Sequence, residues 1–212
     1  MNPFLENFKT ALNAHDKDAC VRLIHEGLDA NSFRLIEAYE DILSKAMADV
    51  SSSQLDPRHK IWDEHVKTQI VRTVLESLYP RVMKTPEIRP TRRVALVCPE
   101  GEYHELGLRM IADVFRLSGY RPYFFGNSLP KFEIKDLITS MDFAYVVLSA
   151  SNFYVLPALN ASIATINELR PDLKILVGGH AVNHNHDAIH GNNVTIVTTL
   201  EELKILLTEE AR

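Results

Sequence analysis

Near residue 90 the chain changes its hydrophobic period, and with it the architecture it can adopt. Beyond that point VALVCP, RPYFF, FAYVVLSA, KILVGG and NVTIVTT are short runs rich in β-branched and aromatic residues. They are separated by helical segments of about a dozen residues. Strands alternating with helices imply right-handed crossovers and a parallel sheet. Five such strands predict an α/β, Rossmann-like (flavodoxin-like) domain, whose ligands sit beyond the carboxyl ends of the strands at the switch point of the strand order. The turns just after each strand are therefore where function is expected.

The first part of the chain reads differently. Apolar residues recur at helical spacing in FLENFKTALNAH and in ACVRLIHEGL, where Asp16 is placed to act as N-cap and Gly27 as the stop. A third helix is expected through FRLIEAYEDILSKAMADV. A fourth is expected over roughly residues 58 to 80, with Ile61, Val66, Ile70, Val71, Val74, Leu75 and Leu78 along one broad side. Four helices with short connections predict a small bundle. Seven of the eight glycines lie beyond residue 91 while the charges are spread evenly, so the break is one of architecture. The stretch around Pro86 and Pro90 reads as a linker, which predicts a helical cap over residues 1–88 and a sheet domain over 89–212.

A formal charge of −5 removes the electrostatic footprint of a protein that grips nucleic acid unaided. No apolar run approaches the length of a membrane helix or signal peptide. The two cysteines, Cys20 and Cys98, offer at most one bridge, and the expected compartment is a reducing cytoplasm.

The first strand runs into Glu100-Gly101-Glu102-Tyr103-His104-Glu105-Leu106-Gly107. His104 then projects from the sheet's ligand edge, and the Glu102 carboxylate two residues earlier can accept its Nδ1–H, leaving Nε2 to bind a metal. Gly107 lets something bulky approach the helix start. The third strand ends in Ser149-Ala150-Ser151-Asn152, where hydroxyls can meet a polar ligand tail. After the fourth come Gly178-Gly179-His180, where paired glycines let the backbone close over a flat ligand.

These residues resemble the cobalamin-binding domain of cobalamin-dependent mutases, methionine synthase, corrinoid methyl carriers and cobalamin-sensing regulators. The family pattern is Asp-x-His-x-x-Gly, then Ser-x-Leu, then Gly-Gly; this chain has Glu102-x-His104-x-x-Gly107, Ser149-x-Ser151 and Gly178-Gly179 in the same order. The resemblance covers residues 91 to 212. It implies cobalamin, as adenosylcobalamin or methylcobalamin, bound with His104 as the lower cobalt ligand in place of the cofactor's own base and Glu102 as the orienting partner. The displaced nucleotide tail would enter a slot lined by Ser149, Ser151, Gly178, Gly179 and His180, with Tyr103 beside His104. Glutamate in place of aspartate at 102 adds a methylene, which leaves open an indirect hydrogen bond to His104. Ser151 in place of leucine removes an apolar contact from the slot.

The helical half resembles the cap that precedes such domains in corrinoid carriers and light-sensing regulators. The resemblance places Trp62 and the Glu64-His65 pair beside the corrin's upper face, with His65 as a candidate upper axial ligand. The family's tryptophan normally stands nearly three turns earlier. His180, His184, His186 and His190 crowd one segment, and a single tetrahedral zinc site is awkward at their spacings.

Two functions fit a cobalamin-binding chain of this length. One is a sensor, responsive to light, redox state or cofactor supply and signalling through another protein, with assembly into a homo-oligomer left open. The other is a methyl carrier served by partner methyltransferases. Glu102 and Glu64-His65 tilt the reading towards the sensor.

Overall fold

The computed structural model describes residues 2–52, 60–84 and 92–209. The chain divides into two compact units, Met1–Lys84 and Thr85–Arg212. The expected boundary at 88 and the linker prolines Pro86 and Pro90 lie outside the described residues.

The first unit is the helical one. Helix α1 spans Pro3–Asn13, where Pro3 occupies the first turn and the Asn2 side chain accepts the Phe4 N–H at 3.0 Å. Helix α2 spans Lys17–Asp29 and is capped by Asp16, which accepts the Ala19 N–H at 2.9 Å. Gly27 is not the stop. The helix runs on to Asp29, and a Cβ at Gly27 would fall 2.3 Å from the Phe33 ring, so this glycine serves close packing.

Helix α3 begins as α-helix over Leu35–Glu37, widens to a π-helix over Ala38–Ser44 and returns to α-helix over Lys45–Ser52. The cause lies in the burial pattern. Ala38, Ile42, Ala46 and Val50 are all buried at a spacing of four, whereas an α-helix repeats every 3.6 residues. A wider turn takes up the drift and keeps the four on one side. Helix α4 spans Ile61–Val82 and passes Pro80 without ending. Pro80 stands in the last turn, where its missing N–H costs one bond to the Glu76 carbonyl, and burial of Leu78 and Val82 on either side outweighs that loss. Phe8, Tyr39, Leu43, Val71 and Val74 are fully buried in this unit.

The second unit is the expected parallel sheet. Its strands are β1 Arg93–Val97, β2 Arg121–Phe124, β3 Tyr145–Ser149, β4 Lys174–Gly178 and β5 Val194–Ile196, in the order β2-β1-β3-β4-β5 and all parallel. Helices α5 Leu106–Leu117, α6 Lys131–Ser140, α7 Leu156–Leu169 and the short α8 His180–Asn183 link the strands, and α9 Leu200–Glu209 follows β5. A 3-10 turn over Phe153–Val155 leads into α7, and another over His186–Ala188 follows α8. Helices cover both faces, so successive residues of the inner strands β1, β3 and β4 are buried: Ala95, Val97, Val146 and Val177 toward one layer, Leu96, Tyr145 and Leu176 toward the other. The strand order reverses between β1 and β3, so the switch point lies beyond Val97 and Ser149.

Candidate cofactor site

The β1 strand delivers the chain to a tight turn. Gly101 takes φ +87 and its N–H donates to Ser128 Oγ at 3.0 Å, while the Glu102 N–H donates to the Pro99 carbonyl at 2.9 Å. This turn folds the Glu102 side chain inward, where it is fully buried. A buried carboxylate must be satisfied by hydrogen bonds, and this one has three donors. Its Oε1 accepts the His104 backbone N–H at 2.7 Å and the His104 ring at 2.6 Å, and its Oε2 accepts the Ser151 N–H at 2.5 Å. The added methylene of glutamate therefore does not impose an indirect contact with His104. It gives the carboxylate the reach to join the β1 and β3 turns directly.

Burial acts to raise the Glu102 pKa, but the bonds from His104 and Ser151 outweigh it and hold the carboxyl below its usual range. An ionised carboxylate only accepts, so the proton at the 2.6 Å contact sits on His104 Nδ1. In a neutral imidazole that places the lone pair on Nε2. The His104 side chain is 44 % exposed while its carboxylate partner is at 0 %, an anchored imidazole whose other edge reaches the surface.

The surroundings frame this edge. Gly107 lies in the first turn of α5, and a Cβ there would meet nothing within 4 Å among the described residues, so space stands open beside the histidine. Asn152 flanks the imidazole, its side-chain nitrogen 3.4 Å from His104 Nδ1 and 3.1 Å from the Tyr154 hydroxyl. Tyr103 is exposed and Ser149 is buried. Glu105 is buried and accepts from Arg109 Nε at 3.2 Å; the Arg109 guanidinium lies over Phe124 at 4.7 Å. Burial pushes the Cys98 thiol up to about 12, with Glu102 and Glu105 adding to the effect, so Cys98 stays a thiol at neutral pH.

The glycine pair has a backbone reason. A Cβ on Gly178 would lie 2.9 Å from the Val197 carbonyl oxygen, and one on Gly179, at φ +104, would lie 2.4 Å from that of Ala150. The β4 turn approaches the chain after β5 at Gly178 and the β3 turn at Gly179 so closely that no side chain fits, and the Ala181 N–H closes the contact on Ala150 O at 3.1 Å. His180 follows, exposed, with the Phe153 ring 6.2 Å away.

Glu102, Tyr103, His104, Gly107, Ser149, Ser151, Gly178, Gly179 and His180 thus stand at one edge of one sheet. Ser128, Phe153 and Tyr154 join these residues with no local sequence signal, and Ser151, expected to act through its hydroxyl, makes its contact through its backbone N–H. Trp62, Glu64 and His65 belong to the other unit. Trp62 is 57 % exposed, with the His15 ring 5.8 Å away and Lys60 Nζ 5.7 Å from its centroid. His15 Nε2 pairs with Asp63 Oδ1 at 2.6 Å. His65 is exposed and lines a groove of about 740 Å³ with His15, Asp16, Asp18 and Gln69. No described helix is long and apolar enough to cross a membrane.

An anchored imidazole at the switch point of a doubly wound sheet, with open space beside it and a glycine-lined turn nearby, defines a protein that holds a cofactor at its sheet edge. Residues 92–201 match the B12 binding domain, and the chain belongs to that family. Cobalamin is its cofactor. Among curated proteins no sequence matches. The structure is similar to the Methanosarcina barkeri monomethylamine corrinoid protein at a TM-score of 0.81, with 16% identity over 98% of each chain. It is also similar to a cobalamin-binding protein from Desulfitobacterium hafniense DCB-2, with a TM-score of 0.50 and 18% identity over 97% of each chain. A third likeness is to the methanol:cobalamin methyltransferase complex of Methanosarcina barkeri, with a TM-score of 0.51 and 15% identity over 99% of this chain and 80% of that one. At these identities the likenesses show the fold. The residues fit the cofactor: an imidazole anchored through Nδ1 leaves Nε2 as a donor for a metal, and Gly107 leaves open space beside it.

Proposed function

We propose that the chain holds cobalamin with His104 as lower axial ligand and serves as a methyl carrier between partner methyltransferases. The observation that supports this most directly is the 2.6 Å contact from His104 Nδ1 to the buried Glu102 carboxylate, which orients the ring with Nε2 outward. When bound, cobalamin supplies a cobalt centre able to take up and release a methyl group. His104 would hold that centre through Nε2, and Glu102 would orient the imidazole and stabilise it on gaining a proton. Ser149, Ser151, Gly178, Gly179 and His180 line the slot for the nucleotide tail, and Tyr103 lies beside the ring. The whole-chain likeness to a corrinoid protein and to a methyltransferase complex supports a carrier over a sensor.

The sensor reading draws on Glu64-His65 in the first turns of α4. His65 is exposed there. One set of measurements separates the readings. Wild-type protein reconstituted with cobalamin should show nitrogen splitting from an imidazole in the electron paramagnetic resonance spectrum of the Co(II) form, and His104→Ala should lose it. Retention of that splitting in His104→Ala would refute the ligand assignment. Illumination of the methylcobalamin-loaded protein should leave its hydrodynamic size unchanged; a change of size abolished by His65→Ala would replace the carrier with the sensor.

A further inference from the structure

The four histidines after the Gly178-Gly179 turn are sorted by the fold into a pair and two single residues. His180 opens α8, and His184 ends it with helical backbone angles, so their side chains leave one face a turn apart. The two ring centroids stand 4.3 Å apart with planes tilted by 41°. His186 begins a separate 3-10 turn and His190 lies beyond it. Among the described residues no group of three or more His, Cys, Asp or Glu is placed to hold a metal, so the tetrahedral cage does not form.

The pair itself is pre-arranged. The Phe153 ring meets the His180 ring edge to face at 62°, which steadies one imidazole. The other is fixed by its own helix, with His184 Nδ1 2.8 Å from the His180 carbonyl oxygen. A carbonyl only accepts, so Nδ1 carries the proton and the His184 lone pair sits on Nε2. A ring N–H given to a backbone carbonyl is the outer-shell arrangement that orients metal-binding histidines. Both rings are exposed to solvent.

We propose that His180 and His184 form a two-nitrogen chelate for a borderline divalent transition-metal ion, of which Zn²⁺, Ni²⁺ and Cu²⁺ are the type, with water in the remaining positions. Imidazole nitrogen suits these ions, and histidines at i and i+4 on a helix can both reach one ion at about 2.0–2.1 Å. The two rings already stand 4.3 Å apart, centroid to centroid, on the same face. With two protein ligands the ion is exchangeable. The pair stands on α8, beside the proposed tail slot that His180 also lines, and not on the β1 turn that carries His104.

Titration calorimetry of the untagged chain with ZnCl₂ tests this. Wild type should bind zinc, and His180→Gln and His184→Gln should each weaken binding by about tenfold or more, whereas His186→Gln and His190→Gln should leave it unchanged. The four positions are exposed, and matching circular dichroism and melting curves without metal will show that each variant folds. Zinc should also raise the melting temperature of wild type and not that of either pair variant. Undiminished zinc affinity in His180→Gln or His184→Gln, an equal loss in His190→Gln, or no binding by wild type would each overturn the assignment.

Discussion

Glu102 carries more of the site than any other single residue, because one buried carboxylate satisfies three donors from two different turns. A glutamine can accept at only one of its two terminal atoms, so Glu102→Gln leaves either the Ser151 N–H or the His104 pair facing an amide NH₂. A buried donor left unsatisfied costs about 1–3 kcal/mol, and urea unfolding of the variant should show a loss of that size. The pH dependence has a definite sign. The folded carboxyl titrates below the usual 4.5, so its contribution is fully present above that value and is lost as the pH falls through the lower, folded pKa. Wild type should lose stability across that acid window and Glu102→Gln should lose less. The two glycines nearest the site should respond in opposite ways. Gly179→Ala forces φ +104 on a residue whose Cβ overlaps Ala150 O, and strain alone costs about 1–3 kcal/mol. Gly107→Ala meets nothing and in a helix is worth up to about 1 kcal/mol of added stability. Its cost should appear only as weaker cobalamin binding, measured by the absorption change on titration.

The inner strands β1, β3 and β4 were legible because they are buried on both faces and so read as unbroken apolar runs. The motifs, far apart along the chain, meet because α/β topology gathers the turns after β1, β3 and β4 at one edge. What the sequence concealed depends on contacts distant along the chain. Gly27 looked like a helix stop, and only the approach of Phe33 reveals it as a packing position. The reach of Glu102 to Ser151 N depends on two turns meeting, which no local pattern encodes. The π-helical stretch was hidden because its buried residues pass for an ordinary amphipathic helix. Removing one residue from that stretch gives a test. Deleting Asp41, which forms an exposed ion pair with Lys45 at 2.7 Å, converts the burial spacing to threes and fours and restores an α-helix with its buried side intact. The variant should keep its helical circular dichroism and nearly all its stability. Deleting Thr73 from α4, which has no π turn to give up, rotates Val74, Leu75 and Leu78 out of phase with Ile70 and Val71 and should cost upward of about 3 kcal/mol. Equal damage from both deletions would show that the π geometry is not the slack in α3.

At the scale of the whole molecule, two units with separate cores need not unfold together. Each has its own buried aromatic centre, Phe8 and Tyr39 in the first and Phe115, Tyr120 and Tyr145 in the second. Calorimetry of the cobalamin-free chain should therefore resolve two transitions. The residues proposed to hold the cofactor from below and to line its tail slot all lie in the second unit, so binding free energy is linked first to the unfolding of that unit. At a free cobalamin concentration of 100 times Kd the linkage is about 2.7 kcal/mol, which for a unit of this size is a rise of roughly 10 °C. The transition of the second unit should move by about that amount. His104→Ala should shrink the shift at the same cofactor concentration, because the loss of a metal–nitrogen bond raises Kd. The response of the first unit then measures the cap's own share. If its transition rises together with the second and His65→Ala cancels that rise alone, the imidazole on α4 contributes to the bound state. If it stays fixed, the cofactor is held by the sheet edge without it.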